Sequence, residues 1–260
     1  MLSPPCYVIS DAHLGLDSVA LERQVASFLR HLHGRAASLL INGDLFDFWF
    51  EWRSVVPRGN FRTLGALAEL RDGGVEVVMF GGNHDCWGGD VLRKDVGLSF
   101  HLGEWDGILG GWRAHVEHGD GLRPAADRRY RMLRRVLRHR FSVAAFRLMH
   151  PDWGTRLARG SSTVSRAHQP ADEGEGLRRI AHQRLAEHRE TELVIFGHSH
   201  RATLERGEHG VYANPGSWLD TPAFLLVRPE RIELRSWRGS AEGDLLHAID
   251  RRPEEPLAQT

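Results

Sequence analysis

Lysine is all but missing from this chain: Lys94 stands alone among 34 Lys and Arg side chains, so nearly every basic group is a guanidinium. Cysteine is almost as scarce. Cys6 and Cys86 are too few for a disulfide framework and wrongly spaced for a zinc knuckle, so a reducing compartment is the simpler expectation. No apolar run approaches the ~18 residues that mark a transmembrane helix. The first strand is expected to begin by Tyr7, which leaves no room for a signal peptide. Net charge is missing too, since 34 acidic groups balance the basic ones, and nothing global points to nucleic acid. These absences predict a cytosolic protein, or one attached to a membrane only from the side.

What remains is ordinary soluble-domain material, 41% hydrophobic and 26% charged over 260 residues. That length suits one large domain carrying an inserted subdomain. We expect the main domain over 1–250, a helical insert over 121–170 and a flexible tail over 251–260.

Cys6–Ser10, Leu39–Asn42 and Val75–Gly81 are short apolar runs that stop at polar or small residues, the pattern of strands buried on both faces. Ser18–His33 and Phe61–Arg71 between them have helical spacing. Strand alternating with helix predicts a parallel or mixed sheet, with ligands on loops at the carboxyl ends of its strands. Later, Leu193–Phe196, Val211–Ala213, Phe224–Arg228 and Ile232–Trp237 read as strands. Turn-forming Asn214-Pro215-Gly216-Ser217 and Arg228-Pro229-Glu230 predict that the last three form an antiparallel meander, a second sheet packed on the first.

The stretch from Gly121 to Gln169 differs from the rest, with twelve Arg against two acids, Asp127 and Asp152. Tyr130, Leu133, Leu137, Phe141, Ala144 and Leu148 step by three or four residues and predict one apolar stripe on a basic helical segment. Such segments either dock on a core with their arginines in water or lie at a membrane surface. A polar loop over Gln169 to Gly176 is expected to close the insert.

Five motifs each follow a candidate strand: Asp11-Ala12-His13, Gly43-Asp44, Gly82-Asn83-His84-Asp85, His118-Gly119-Asp120 and Gly197-His198-Ser199-His200. Singly they are weak, because Gly-Asp and Asp-x-His occur in many turns. Jointly they bring oxygen and imidazole donors, and no thiolate, to successive strand ends. That donor set suits hard or borderline divalent ions such as Mn, Fe, Co or Zn. A carboxylate shared by two such ions would hold them roughly 3.5–4 Å apart, the geometry for in-line displacement at a phosphate ester. Cys86 beside these motifs is expected to be a packing residue.

With this signature the chain resembles the calcineurin-like metallophosphoesterases over nearly its whole length. The resemblance implies an α/β fold, a four-layer αββα sandwich of two mixed sheets with a helical insert, around a dinuclear metal site. It implies two divalent ions, expected to be Mn2+, the first held by Asp11, His13, Asp44 and His200. The second would be held by Asp44, Asn83, His118 and His198, with Asp44 bridging. His84 would act as general acid or electrostatic stabiliser, its ring fixed by Asp85, while Asp120 would be structural.

Within that superfamily the chain is most similar to the UDP-2,3-diacylglucosamine diphosphatases of lipid A synthesis. Ser10-Asp11-Ala12-His13-Leu14-Gly15, Phe46-Asp47-Phe48-Trp49-Phe50-Glu51-Trp52 and His118-Gly119-Asp120-Gly121-Leu122 carry the likeness. It implies cleavage of a pyrophosphate to UMP and a diacylated glucosamine 1-phosphate, with the insert covering the acyl chains near the inner membrane. Asp127, Tyr130, Ser162 and Arg166 would then contact substrate, Arg128 and Arg129 could bind phosphate, and Trp49, Phe50 and Trp52 would pack the core or wall the cleft. One departure is His84, where the proteobacterial form carries Arg. The competing readings are a related phosphoesterase acting on another nucleotide, phosphoester or lipid pyrophosphate, a non-catalytic scaffold, and a nuclease. Retention of His84 and all seven ligands argues against the scaffold, and zero net charge argues against the nuclease.

Overall fold

The structure, a computed structural model, describes residues 1–15, 19–158, 173–239 and 242–252. β1 (Cys6–Ile9), β2 (Ser38–Asn42) and β3 (Glu76–Gly81) are parallel, with Val8 level with Leu40 and Leu40 level with Val78. Successive side chains alternate between faces. Tyr7, Ile9, Leu39, Ile41, Val77 and Met79 pack under α1 (Val19–His31) and α2 (Phe61–Asp72). Cys6, Val8, Leu40, Val78 and Phe80 point the other way, into a core shared with a second sheet. The runs are continuously apolar because both faces are covered.

The second sheet is not the expected terminal meander. It comprises β5 (Trp105–Leu109), β6 (Trp112–Val116), β7 (Leu193–Ile195), β8 (Thr203–Arg206) and β9 (Val211–Asn214), in the order β5-β6-β7-β9-β8. The last strands, β10 (Ala223–Arg228), β11 (Arg231–Ser236) and β12 (Asp244–Asp250), form a meander that joins the first sheet instead. β10 pairs antiparallel with β1, Cys6 opposite Val227, giving the order β12-β11-β10-β1-β2-β3-β4, with β4 at Ser99–Leu102. The cause is burial: β10 is apolar on both faces over five residues and needs a central position. The turn at 214–217 is therefore a crossing between sheets.

Outside β7 and β9, a late helix covers the second sheet, with Leu177, Ala181 and Leu185 against Val194, Phe196 and Tyr212. The layers run helix, sheet, sheet, helix, as expected. Before that helix come α3 (Arg128–Leu137), α4 (Arg140–Leu148) and α5 (151–158); the late helix is α6 (Glu173–Glu187). Residues 173–176 of the expected closing loop thus belong to α6, and the expected tail from 253 onward lies outside the described residues.

The apolar stripe predicted through the insert breaks at Arg138 and His139. His139 caps α4, its Nδ1 accepting from Phe141 N–H, and the helix restarts in a new phase. Val143 and Phe146 then pack on Phe48, Phe50 and Trp52, whereas Phe141 and Leu148 are exposed. One face of α4 thus docks on the core while Phe141 and Leu148 stand outside it.

Candidate metal centre

The carboxyl ends of β1, β2 and β3 meet those of β6 and β7 across the sandwich. Each strand ends one or two residues before its motif, so the five loops converge. Asp11, His13, Asp44, His198 and His200 all have left-handed backbones, with φ between 45° and 62°. Each such residue costs on the order of 1 kcal/mol, a cost found mostly where side chains are held for function.

The loops leave no spare room. A Cβ on Gly82 would overlap Asp44 Oδ1, and one on Gly43, at φ 85°, would overlap the His118 ring. Backbone bonds tie the loops together: Asp11 N–H to Gly43 O at 3.1 Å, His13 N–H to Asp44 O at 2.9 Å and Gly197 N–H to His118 O at 2.8 Å. Asp11 also accepts from His198 N–H, at 3.0 Å to Oδ2.

Two donor groups result. In the first, His13 Nε2 and His200 Nε2 meet at 3.0 Å, and His200 Nε2 lies 3.4 Å from Asp11 Oδ1. In the second, His118 and His198 gather with Asp44. Asp44 Oδ1 accepts from His84 N–H at 2.9 Å, while Oδ2 lies 3.3 Å from His118 Nε2 and 3.8 Å from His13 Nε2, between the groups. His118 Nδ1 is 2.8 Å from the Asn42 carbonyl and so carries the proton, which turns the Nε2 lone pair toward Asp44. A lone pair facing a carboxylate needs a cation between them. Asn83 Oδ1 and His118 Nε2 are buried without a hydrogen-bond partner, as ligand atoms would be.

The charges agree with that reading. Burial pushes the His13 pKa down to about 3, keeping it neutral and able to offer a lone pair. Burial opposes ionisation of Asp44, but the surrounding His118, His84 and His13 outweigh it and hold its carboxyl well below the usual range. Conversely, burial disfavours charge on His118, yet the Asp44 carboxylate lifts its pKa well above the ordinary value. Without an ion, a proton takes its place.

Around this centre several expectations change. Asp85 does not fix the His84 ring through its own carboxylate oxygens; these accept from backbone N–H of Gly82 at 2.8 Å and of Asp44 and Phe46 at 3.2 Å. The His84 Nδ1 is instead 2.9 Å from the Asp47 carbonyl. Asp127 is occupied by Arg123, with a 2.7 Å ion pair, and braces the start of α3 rather than facing the cavity. Trp49 lies in the core, while Phe50 and Trp52 form an aromatic cluster with Phe48 beneath the insert. Arg128 and Arg129 are exposed. Ser162 and Arg166 lie outside the described residues. Cys86 is buried, its thiol pushed up to about 12 by that burial, consistent with packing.

A cavity of about 170 Å3 opens beside the centre, lined by Asn83, His84, Tyr130, Arg134, Leu137 and Arg138. It shares Phe48, Trp87, Leu133, Leu137 and Ala158 with an apolar cavity of about 290 Å3 that continues to Phe50, Val143, Phe146 and Leu157. Sequence reasoning overlooked Arg134 and Arg138, although their stride of four from Tyr130 was a usable signal.

The family model for the calcineurin-like phosphoesterase superfamily domain matches residues 6–224. A UDP-2,3-diacylglucosamine hydrolase of Porphyromonas gingivalis is 37% identical over 215 residues, covering 75% of this chain and 82% of that protein. Another of the same name, from Pectobacterium carotovorum, is 28% identical over 88% of this chain and 97% of its own. Among solved structures, the E. coli phosphoesterase Yfce aligns with 94% of this chain and 97% of its own, at TM-score 0.48 and 15% identity.

Proposed function

Because this chain belongs to the calcineurin-like phosphoesterase superfamily, metal-dependent hydrolases with a dinuclear divalent site, we propose that it hydrolyses the pyrophosphate of UDP-2,3-diacylglucosamine. The products are UMP and 2,3-diacylglucosamine 1-phosphate. The relatives bearing that enzyme name support the substrate. The observation that carries it is the joined pair of cavities, with Asn83, His84, Arg134 and Arg138 beside the donor groups and Phe50, Val143, Phe146 and Leu157 beyond. A phosphate-bearing amphiphile matches that gradient; a free nucleotide leaves the apolar half unused.

In this reading Asp11, His13, Asp44 and His200 hold one ion, and Asp44, Asn83, His118 and His198 hold the other. Manganese suits the oxygen and imidazole donors. When bound, the ions supply positive charge for phosphoryl oxygens and acidity for a water molecule. The chain's residues do the rest. Asp85, braced by three backbone N–H groups, holds the Asp44 and Gly82 loops in register. His84, oriented by the Asp47 carbonyl, lines the cavity and in its imidazolium form donates toward the departing oxygen.

The insert serves as the lipid-facing part. No residue of α3 or α4 is fully buried, and Met132, Val136, Phe141 and Leu148 are exposed among arginines. Apolar side chains ringed by guanidiniums suit an anionic membrane surface, so the protein works as a peripheral one on the cytoplasmic face of the inner membrane. Among the described residues, no helix is long and apolar enough to cross a membrane. Assays on matched acylated and deacylated UDP-sugars test this function: strong preference for the acylated form supports it, and indifference removes the lipid substrate.

A further inference from the structure

Two side chains of α3 and that of its C-cap residue Arg138, spaced four apart, converge on one buried carboxylate. Tyr130 Oη–H donates to Asp120 Oδ2 at 2.6 Å, Arg134 Nη1 lies 3.2 Å from the same oxygen and Arg138 Nη2 lies 3.4 Å from it. Arg134 also donates to the Asp120 carbonyl at 2.7 Å, and Arg138 to the Gly82 carbonyl at 3.1 Å. Two guanidiniums thus answer one carboxylate, while a second carboxylate, Asp47, lines the cavity beside His84, with Oδ1 3.7 Å from Nδ1.

Neutralising Asp120 accounts for only one of the pair. Each guanidinium has five N–H donors in a planar fork. The hydrogen bonds to Asp120 and Gly82 engage only Nη1 of Arg134 and Nη2 of Arg138, and Arg138 also bonds the Cys86 side chain. Both side chains are partly buried, 28% and 22% exposed, and both line the cavity with Asn83 and His84. On the far side of them, Leu133 and Leu137 begin the apolar cavity. An anion seated at this pair would lie between the metal-ligand loops and the apolar lining.

We propose that Arg134 and Arg138 form a phosphate seat for the sugar-linked phosphate of the substrate, next to the phosphate held at the metal centre. This rests on the function proposed above. Paired forks match phosphate oxygens in a way that a lysine would not. The seat makes the enzyme select a pyrophosphate over a simple diester, because only the former carries the second phosphate.

The test compares kcat/KM on UDP-2,3-diacylglucosamine with that on bis(p-nitrophenyl) phosphate, for wild type, Arg134→Gln and Arg138→Gln. Charged hydrogen bonds of this kind are worth about 10–100-fold each, so the ratio of the two constants should fall by that factor in each variant. Metal content should stay at two ions per chain, and Arg134→Lys should recover part of the ratio. A folded, metal-loaded variant whose ratio matches wild type overturns the seat. Arg138 also holds Gly82, so Arg134→Gln decides if Arg138→Gln fails to fold. A wild-type enzyme that leaves the acylated UDP-sugar intact removes the premise, whereas an active wild type with unshifted variants removes the seat alone.

Discussion

His118 Nε2 faces Asp44 Oδ2 at 3.3 Å with its lone pair, because the proton of that ring is on Nδ1, held by the Asn42 carbonyl. Two ligands of one ion, each about 2.1 Å from it at a right angle, would be about 3 Å apart. Since Asp44 Oδ2 also faces His13, this carboxylate joins both donor groups. Asp44→Ala should therefore lose both ions, as measured by elemental analysis of the purified protein. Two retained ions would disprove the bridge.

His84→Ala should retain both ions and slow turnover by about 10²–10⁴-fold, the usual scale for a positioned acid. The assay must use a substrate with a poor leaving group, since a good one needs no proton. Unchanged turnover on the poor leaving group would remove the acid role.

Gly82→Ala adds one carbon where Asp44 Oδ1 already sits, and the carboxylate must move. We expect metal affinity to weaken by about 10–100-fold, as when a group supporting a ligand is lost. Gly65→Ala is the control: it lies in α2 with open space around its Cβ, so it should keep metal affinity and raise stability by about 1 kcal/mol in thermal unfolding.

Metal affinity should rise with pH. Burial disfavours charge on His118 and His200, but Asp44 and Asp11 outweigh it and raise both pKa values in the ion-free protein. An entering ion must displace those protons, so lower pH weakens binding and higher pH favours it. Calorimetry in buffers of different ionisation enthalpy should detect proton release at pH 7. No release would mean the imidazoles are already neutral.

Phe146 and Phe141 separate the two faces of α4. Phe146 lines the apolar cavity, so Phe146→Asp should erase the preference for longer acyl chains, worth up to about 0.8 kcal/mol per buried methylene. Phe141 is exposed, so Phe141→Asp should keep that preference and weaken binding to anionic vesicles. The reverse pattern would exchange the roles assigned to the two faces.

The convergence of the loops was legible because each motif follows a strand whose burial on both faces shows in its own residues. Asp11, His13 and Asp44 needed no tertiary knowledge to be singled out. Sheet membership was not legible in the same way: β10 pairs with β1 from the far end of the chain, and its turns do not encode that partner. The place of Asp85 is not legible in a motif, because its partners are the backbone N–H groups of Gly82, Asp44 and Phe46. In the insert, helical spacing ran on in sequence across a cap that resets the helix at His139.

Product analysis tests the central claim most directly. Purified, manganese-loaded protein is incubated with UDP-2,3-diacylglucosamine and the mixture resolved by mass spectrometry. The account predicts UMP and an acylated sugar monophosphate in equal amounts, with none formed by Asp44→Ala. Intact substrate from folded protein carrying two ions, or release of UDP in place of UMP, would contradict it.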